Sequence, residues 1–243
     1  MNILTKCKTE VFSDESTIWR YMDFSKFVDM LDSSCLFLPG LTILKNIDPY
    51  EGSLVPFDPN YKNGESSEIV RESNEEISDN ILVSCWHIND VESAALWKLY
   101  SRSNEVIAIR SEVSKLVSAI EHPDQYHNAS IILTAVEYGH EKVRNKYKDN
   151  FNGISGDDIV FTKRRCFEHE RELRLAIYND GSSLPLSPDK TGLLLKVNLE
   201  DMLSEVIISP EAPLWILDLV KRVTQKYGFS YKIRQSTLNK LTF

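Results

Sequence analysis

Cysteine, glycine and proline are sparse in this sequence of 243 residues, which contains four, nine and nine of them respectively. The cysteines lie far apart and show no Cys-x-x-Cys spacing, so neither a zinc ribbon nor a disulfide framework is indicated. There is no run of about eighteen apolar residues, and the N-terminus lacks the positive-then-apolar pattern of a signal peptide. The sequence therefore predicts a cytoplasmic protein with no membrane partner.

Positive charge is also in short supply, because 36 acidic residues outnumber 28 lysines and arginines and give a formal net charge of −8. This balance argues against broad, sequence-independent binding of nucleic acid through a basic surface. It leaves room for a local basic cleft. The candidate for such a cleft is the neighbourhood of Lys163–Arg165 and Arg171–Arg174.

The apolar and aromatic content is sufficient to bury a substantial core. Strand and helix patterns intermix without the regular alternation or glycine-rich turns of a doubly wound sheet. We therefore predict an α+β fold, a mixed and mostly antiparallel sheet surrounded by helices, in a single domain over residues 1–243 with a polar surface excursion at about 55–80. The predicted strands are Ile18–Met22, Cys35–Leu38, Ile81–Trp86, Val106–Arg110, Ile131–Tyr138, Leu193–Val197, Val206–Ile208 and Ser230–Ile233. The predicted helices follow Asp23 and cover Val91–Ser101, Ser111–Ile120, His140–Asn150, Ser155–Arg165 and Ala212–Tyr227, the last closed by Gly228.

The stretch Phe167–Tyr178 is the most informative, because apolar and charged side chains alternate along it. Leu173, Leu175 and Ile177 fall on one face of a strand. Glu170, Glu172 and Arg174 fall on the other face, where neighbouring side chains lie roughly 6.5–7 Å apart. Lys163, Arg164 and Arg165 lead into this segment. The pattern fits either a solvated strand face with alternating charge or a functional cluster of two carboxylates with cations.

Other candidate positions lie at strand ends and turns. Arg20 interrupts an apolar strand, where an arginine requires an anion from the protein or from a ligand. Asp48–Gly52 is a turn with two acids around an aromatic residue, which indicates either a plain turn or a pocket wall. Trp86 and His87 end a strand just before a helix that carries Trp97 and Tyr100 on one face, and this pattern fits either core packing or a binding group. None of the histidines forms a cluster with metal-ligand spacing, so no metal site is predicted.

Four of these blocks, in this order, resemble the bacterial domain-of-unknown-function family 2971. The blocks are Trp19-Arg20-Tyr21, Asp48–Gly52, Cys85-Trp86-His87 with Glu92-Ser93 and Trp97–Tyr100, and Lys163 with Glu170–Arg174. The resemblance spans roughly Thr17 to Tyr178. It implies relatives rather than an activity, because the family name carries none.

The same residues have a remoter similarity to ADP-ribosyltransferases, which place an arginine or histidine on the first strand and a glutamate-x-glutamate late in the chain. The similarity implies an ADP-ribosyltransferase-like fold that uses NAD as substrate. It assigns catalysis to Glu172, Glu170 and Arg20, and NAD binding to a set of seven residues. These seven are Arg20, Tyr21, Trp86, His87, Tyr100, Lys163 and Arg174.

We therefore predict an NAD-using ADP-ribosyltransferase or NAD glycohydrolase, as a toxin or an anti-phage defence effector. The expected partners are a nucleotide, a protein or nucleic-acid acceptor, and a partner protein from a defence or toxin–antitoxin system. One alternative is a magnesium-dependent nuclease with Asp48, Glu51, Glu170 and Glu172 as ligands and Lys163 near the scissile phosphate. The other is a non-catalytic binding module in which the charged residues form structural ion pairs.

Overall fold

A computed structural model of the chain describes residues 4–5, 12–45, 48, 51–52, 80–100, 105–121, 130–139, 156–178, 184, 186–187, 189 and 191–239. The predicted surface excursion at 55–80 and the predicted helix His140–Asn150 lie outside these residues, apart from Asn80. Among the residues described, no helix combines the length and the apolar character needed to cross a bilayer. The chain divides into two compact units. Unit 1 comprises residues 1–9, 37–85 and 124–194, and unit 2 comprises residues 10–36, 86–123 and 195–243.

In unit 1, four strands pair in the order β1, β6, β9, β4. Their bounds are β1 Leu4–Thr5, β4 Ile81–Ile88, β6 Ser130–Ala135 and β9 Glu172–Tyr178, of which β4 continues into unit 2 after Cys85. The β1–β6 pair is parallel, and β6 and β9 are antiparallel from Ser130 opposite Tyr178 to Ala135 opposite Leu173. A separate short parallel pair joins β7 Glu137–Tyr138 to β8 Thr162–Lys163.

The helices that the structure describes in unit 1 are short. They are α2 Leu41–Leu44, α5 Gly156–Val160 and a 3₁₀ helix Arg165–Glu170. The core of the unit is an apolar cluster that joins α2 and α5 to the sheet, with Leu41, Val83, Ile132, Val160 and Ala176 among its members. Helices therefore cover the apolar side chains on one face of the sheet. The charged site described below contacts this core through the carbonyl of Val160.

In unit 2, the end of β4 pairs with β2 Thr17–Asp23, and the order continues through β5 Val106–Glu112 and β11 Glu205–Ile208 to β12 Ile233–Gln235. The β4–β2, β2–β5 and β5–β11 pairs are antiparallel, and β11–β12 is parallel. The helices are α1 Phe24–Ser33, α3 Ala94–Tyr100, α4 Val113–Ser118, α6 Leu199–Met202 and α7 Leu214–Lys226. Two further strands, β3 Cys35–Pro39 and β10 Gly192–Lys196, pair with each other and run through the boundary between the units.

The α+β class with mostly antiparallel strands is thus as predicted. The longest helix in the described part of the chain, α7, shows why the bounds of a helix can be predicted from sequence. In α7, Ile216, Val220 and Thr224 are buried at four-residue spacing. Gly228 follows with φ +87°, a conformation that glycine adopts without a Cβ clash. The amides of Gly228 and Phe229 donate to the carbonyls of Gln225 and Thr224, which is the Schellman pattern of a helix end.

Several predicted bounds are wrong for local reasons. The expected strand Ile131–Tyr138 is two strands, because the pairing partner changes after Val136: the Val136 amide donates to the Glu172 carbonyl of β9, whereas Glu137 donates to the Phe161 carbonyl and pairs with β8. The expected helix Ser155–Arg165 ends at Val160 and is followed by β8. The last strand begins at Ile233 rather than Ser230. The predicted two-residue alternation from Glu170 to Arg174 is also wrong, since Glu170 ends the 3₁₀ helix and β9 begins only at Glu172.

Candidate functional site

Five charged side chains of unit 1 form what we call the carboxylate cluster. Its members are Glu51, Lys163, Glu170, Glu172 and Arg174. They come from the turn that follows Asp48, from β8, from the end of the 3₁₀ helix and from β9. Four of the five were predicted as site residues, and the structure brings those four together.

Backbone geometry at Arg171 explains how Glu170 and Glu172 meet. Arg171 adopts a left-handed conformation with φ 40°, which turns the chain sharply between the 3₁₀ helix and β9. Glu170 therefore approaches Glu172 from outside the strand. The amide of Glu172 donates a hydrogen bond of 2.7 Å to the hydroxyl of Tyr138, which fixes the start of β9.

Arg174 is fully buried and holds carboxylates on two elements. Its Nε and Nη2 atoms lie 2.7 and 2.5 Å from Oε2 of Glu172. Its Nη1 atom donates to Oε1 of Glu51 at 2.7 Å and to the carbonyl of Val160 at 2.6 Å. The interpretation of this strand face as solvated is wrong, because the guanidinium is fully buried and contacts carboxylates of the protein.

Lys163 is the second buried cation of the carboxylate cluster. Its ammonium contacts a carboxylate oxygen of Glu170 and lies 3.2 Å from Oε1 of Glu172 and 3.6 Å from Oε2 of Glu51. The two oxygens of Glu172 are therefore engaged by different cations. The observed contacts of Lys163 and Arg174 are with these carboxylates, and their predicted contact with NAD stays a prediction.

The cluster moves the pKa values of its two neighbouring glutamates in opposite directions. Burial alone would raise the pKa of Glu172, but the positive charges of Arg174 and Lys163 outweigh it and lower this pKa to about 2. Burial and the negative charge of Glu172 raise the pKa of Glu170 to about 7, against the opposing effect of Lys163. Glu172 is therefore an anion at neutral pH, while Glu170 is partly protonated.

A second layer of contacts holds the 3₁₀ helix over the carboxylate cluster. Arg164 makes a two-point ion pair with the buried Asp48, with Nη2–Oδ1 and Nε–Oδ2 distances of 2.6 and 3.2 Å. The guanidinium of Arg164 and the ammonium of Lys163 lie 5.2 and 4.7 Å from the centre of the Phe167 ring. Phe167 thus ties the 3₁₀ helix to both cations.

The other predicted site residues belong to unit 2. The Arg20 guanidinium lies 6.0 Å from the centre of the buried Trp86 ring. Tyr21 meets His87 edge-on at 6.5 Å and lies nearly parallel to Tyr100 at 6.1 Å between ring centres. Tyr100 is 45% exposed, whereas the other aromatic residues of this group are buried.

The hydroxyl of Tyr21 accepts a hydrogen bond of 2.9 Å from the amide of Ser93. Burial raises the pKa of Tyr21 to about 12, so the hydroxyl stays neutral at ordinary pH. Trp97 packs edge-on against Tyr21 at 5.0 Å. These contacts join Tyr21, His87 and Tyr100 in one packed group on one face of β2 and β4. Arg20 and Trp86 contact each other on the opposite face, because neighbouring residues of a strand point to opposite sides of the sheet.

Sequence reasoning missed an ion-pair network in unit 2. Arg234 donates to Glu92 at 2.9 Å and to Glu205 at 3.0 Å, and Glu92 also accepts from the indole of Trp97 at 3.1 Å. The available signal was the pair of acids at the starts of otherwise apolar segments, Glu205 before Val206 in particular. An acid on a buried strand requires a cation, although the sequence does not say which one.

The sequence predicts Glu51 to lie in a turn that is either plain or a pocket wall, and the nuclease alternative makes it a magnesium ligand. Its observed partners are Arg174 and Lys163. Within the described part of the chain, no group of three histidine, cysteine, aspartate or glutamate side chains has the arrangement to hold a metal ion.

No protein-family model matches the chain, and no curated protein matches it. Solved structures of DarT from Thermus sp. 2.9 are similar to it. The complex with NAD+ has a TM-score of 0.41 and 6% identity and covers 93% of this chain and 97% of that chain. The complex with ADP-ribosylated single-stranded DNA has a TM-score of 0.45 and 6% identity over 96% and 98% of the two chains. The complex with carba-NAD+ has a TM-score of 0.39 and 5% identity over 93% and 97%.

The resemblance to family 2971 is thus matched by no family model and stays a prediction. The remoter similarity to ADP-ribosyltransferases also stays a prediction, because the DarT structures match this chain with TM-scores of only 0.41 and 0.45. We carry no residue role over from them.

Proposed function

We propose that this protein is an NAD-using ADP-ribosyltransferase or NAD glycohydrolase with Glu172 as its principal catalytic carboxylate. The observation that supports this proposal is the pairing of unlike carboxyl groups in the carboxylate cluster. Glu172 is held as an anion by Arg174 and Lys163, and Glu170 beside it exchanges a proton near neutral pH. Neighbouring carboxyl groups with separated pKa values are typical of sites that need one fixed charge and one acid or base.

The proposed reaction uses each group for one step. The bond between nicotinamide and ribose C1 breaks, and its electron pair leaves with the nicotinamide nitrogen. Positive charge develops on the ribose, and the Glu172 carboxylate stabilises it. Water or an acceptor group then forms the new bond to C1. Its proton passes to the ionised form of Glu170 and from there to solvent.

The residues of unit 2 receive their proposed roles from their chemistry. Arg20 holds a phosphate or ribose group of NAD as a cation, and Trp86 or Tyr100 stacks on an aromatic base. Tyr21 and His87, which contact each other beside Tyr100, are proposed to bind NAD on the same face as Tyr100. As a biological setting we propose a cytoplasmic toxin or anti-phage effector that modifies a protein or nucleic-acid acceptor and is regulated by a partner protein.

Release of free nicotinamide from NAD tests the proposal. We expect the wild-type protein to release it, and Glu172→Gln to release it at least about 100-fold more slowly, because one fixed electrostatic group is lost. Glu168→Gln is the matched control, since Glu168 lies on the adjacent 3₁₀ helix with 62% of its side chain exposed. Circular dichroism must show that both variants are folded. Equal rates for the two folded variants would refute the role of Glu172.

A second candidate is a non-catalytic module, and one observation favours it. Every carboxylate of the cluster contacts a buried cation of the same unit, which is what a structural ion-pair network requires. If the wild-type protein releases no nicotinamide while Glu172→Gln lowers its unfolding temperature, this module is the better description. Magnesium-dependent nicking of DNA without nicotinamide release would instead favour the nuclease.

A further inference from the structure

The charges of the carboxylate cluster do not balance when every group is ionised. Glu51, Glu170 and Glu172 contribute three negative charges, and Lys163 and Arg174 contribute two positive ones. An excess charge in a buried cluster costs free energy, and a carboxyl group avoids that cost by binding a proton. One proton therefore makes the cluster neutral.

Contacts within the carboxylate cluster indicate which groups bind this proton. Lys163 on β8 brings the carboxyl groups of Glu170 and Glu172 together, because its ammonium contacts an oxygen of each. Two ionised carboxylates held side by side repel each other, and a proton on one of them removes that repulsion. Arg174 makes its two-point contact with Glu172, which favours the anion there.

We infer that Glu170 and Glu172 share a single proton, and that Lys163 is the positioning residue that holds the two carboxyl groups side by side. The consequence for catalysis rests on the proposed function. While it holds the proton, the pair carries one negative charge, located mainly on Glu172. Glu170 can accept the proton of the attacking group only after its own proton has left, so activity should rise with pH as Glu170 ionises.

Other titratable groups face the pair from each neighbouring element. They are Glu51 in the turn, Cys85 on β4, Tyr138 on β7, Lys163 on β8 and Arg174 on β9. Burial raises the pKa of Cys85 to about 12 and also raises the pKa of Tyr138, so both stay neutral. The positive charge of Lys163 is stabilised by Glu172 and Glu51 against its own burial, so its pKa lies above the usual value. None of these three groups titrates near neutral pH.

The inference is tested by a carbon-detected NMR titration of the full chain labelled in its glutamate carboxyl groups. In the wild type, we expect Glu170 to titrate near pH 7 and Glu172 to stay ionised well below the ordinary glutamate pKa. In Glu172→Gln, the midpoint of Glu170 should fall by about one pH unit or more, because the neighbouring negative charge is gone. Glu168→Gln should change neither midpoint.

Replacement of Lys163 tests its proposed role in positioning the two carboxyl groups. Lys163→Met should raise the midpoint of Glu170, since the cation opposes protonation, and Lys163→Arg should restore it. If Lys163→Met does not fold, the titration midpoint of Glu170 in Lys163→Arg and in Glu172→Gln, each compared with the wild type, still tests the inference. The inference is overturned if both glutamates titrate independently near about 4.3, the ordinary value, or if Glu172→Gln leaves Glu170 unchanged.

Activity provides a separate readout. The pH profile of nicotinamide release should contain an ionisation near 7 that disappears in Glu170→Gln. A wild type that releases no nicotinamide at any pH would refute the proposed function. The NMR midpoints would still test whether Glu170 and Glu172 share a proton. A profile that keeps its ionisation in Glu170→Gln would remove the catalytic consequence alone.

Discussion

Replacement of Arg174 by methionine is the most demanding perturbation of the carboxylate cluster. Methionine has a similar length but no charge, so the substitution removes the partner of Glu51 and of Glu172 with little loss of packed volume. Lys163 is then the remaining cation within reach of three carboxyl groups, among the contacts described. The carbonyl of Val160 also loses its donor at 2.6 Å.

The magnitude follows from the burial of the ion pairs. Removal of one partner from a buried pair costs about 3–5 kcal/mol, because the other charge stays uncompensated. For a chain of this size each kcal/mol lowers the unfolding temperature by about 2–4 °C, so the expected decrease is about 6–20 °C. The loss is smaller if the released carboxylates bind protons.

The pH dependence of this loss has a definite sign. The pKa of Glu172 is lowered from 4.5 to about 2 in the folded protein. Its contribution to stability is therefore present above about pH 4.5 and disappears as the pH falls towards 2. The Arg174→Met deficit should be largest at neutral pH and should shrink on acidification.

Thermal unfolding followed by circular dichroism between about pH 2 and pH 8 measures both effects, because the contribution of Glu172 is lost in the acidic part of this range. Arg165→Met is the matched control, because Arg165 belongs to the same unit, is 80% exposed and forms a surface pair with Glu168. It should change the unfolding temperature little at any pH. A deficit for Arg174→Met no larger than that of Arg165→Met would refute the reasoning, as would a deficit that grows at acidic pH.

Three further predictions concern single positions. The pKa of Glu170 is raised from 4.5 to about 7 in the folded chain, so the wild type loses stability as the pH rises from about 4.5 to 7. Glu170→Gln lacks this ionisation and should gain stability relative to the wild type over that pH range, as measured by urea unfolding. Gly192→Ala should unfold at a markedly lower temperature, since its Cβ would lie 2.4 Å from a backbone carbonyl, whereas Gly40→Ala meets nothing closer than 3.5 Å and should be tolerated. Tyr21→Phe removes the acceptor of the half-buried amide of Ser93 and should cost about 1 kcal/mol, measured by urea unfolding; no change would mean that the amide finds another acceptor.

Side-chain periodicity predicted that the face of β9 with Leu173 and Leu175 is buried, and both side chains are fully buried. It did not predict that the opposite face is buried as well, with Ala176 in the apolar core of the unit. The same principle located α7, whose apolar positions recur at helical spacing and whose end is marked by Gly228. These features depend on neighbours close in sequence, so they are readable from one segment at a time.

The charged side of β9 could not be predicted in the same way. A strand with alternating charge has the same pattern whether water or other charges cover it. The covering partners are remote in sequence, since Glu51 is 123 residues from Arg174 and Asp48 is 116 residues from Arg164. The left-handed conformation of Arg171 cannot be predicted from its residue type, because glycine and asparagine are the residues that usually adopt it. The meeting of Glu170 and Glu172 therefore follows from tertiary contacts.

The way the chain is partitioned affects which shortened forms can be studied. Each compact unit is assembled from three separate stretches, and the chain passes from one unit to the other within β3, β4 and β10. A truncation from either terminus thus removes part of a unit without releasing the other intact. We expect deletions that reach into β3, β4 or β10 to disrupt both units, so the roles of single residues are better tested by point substitution in the whole chain.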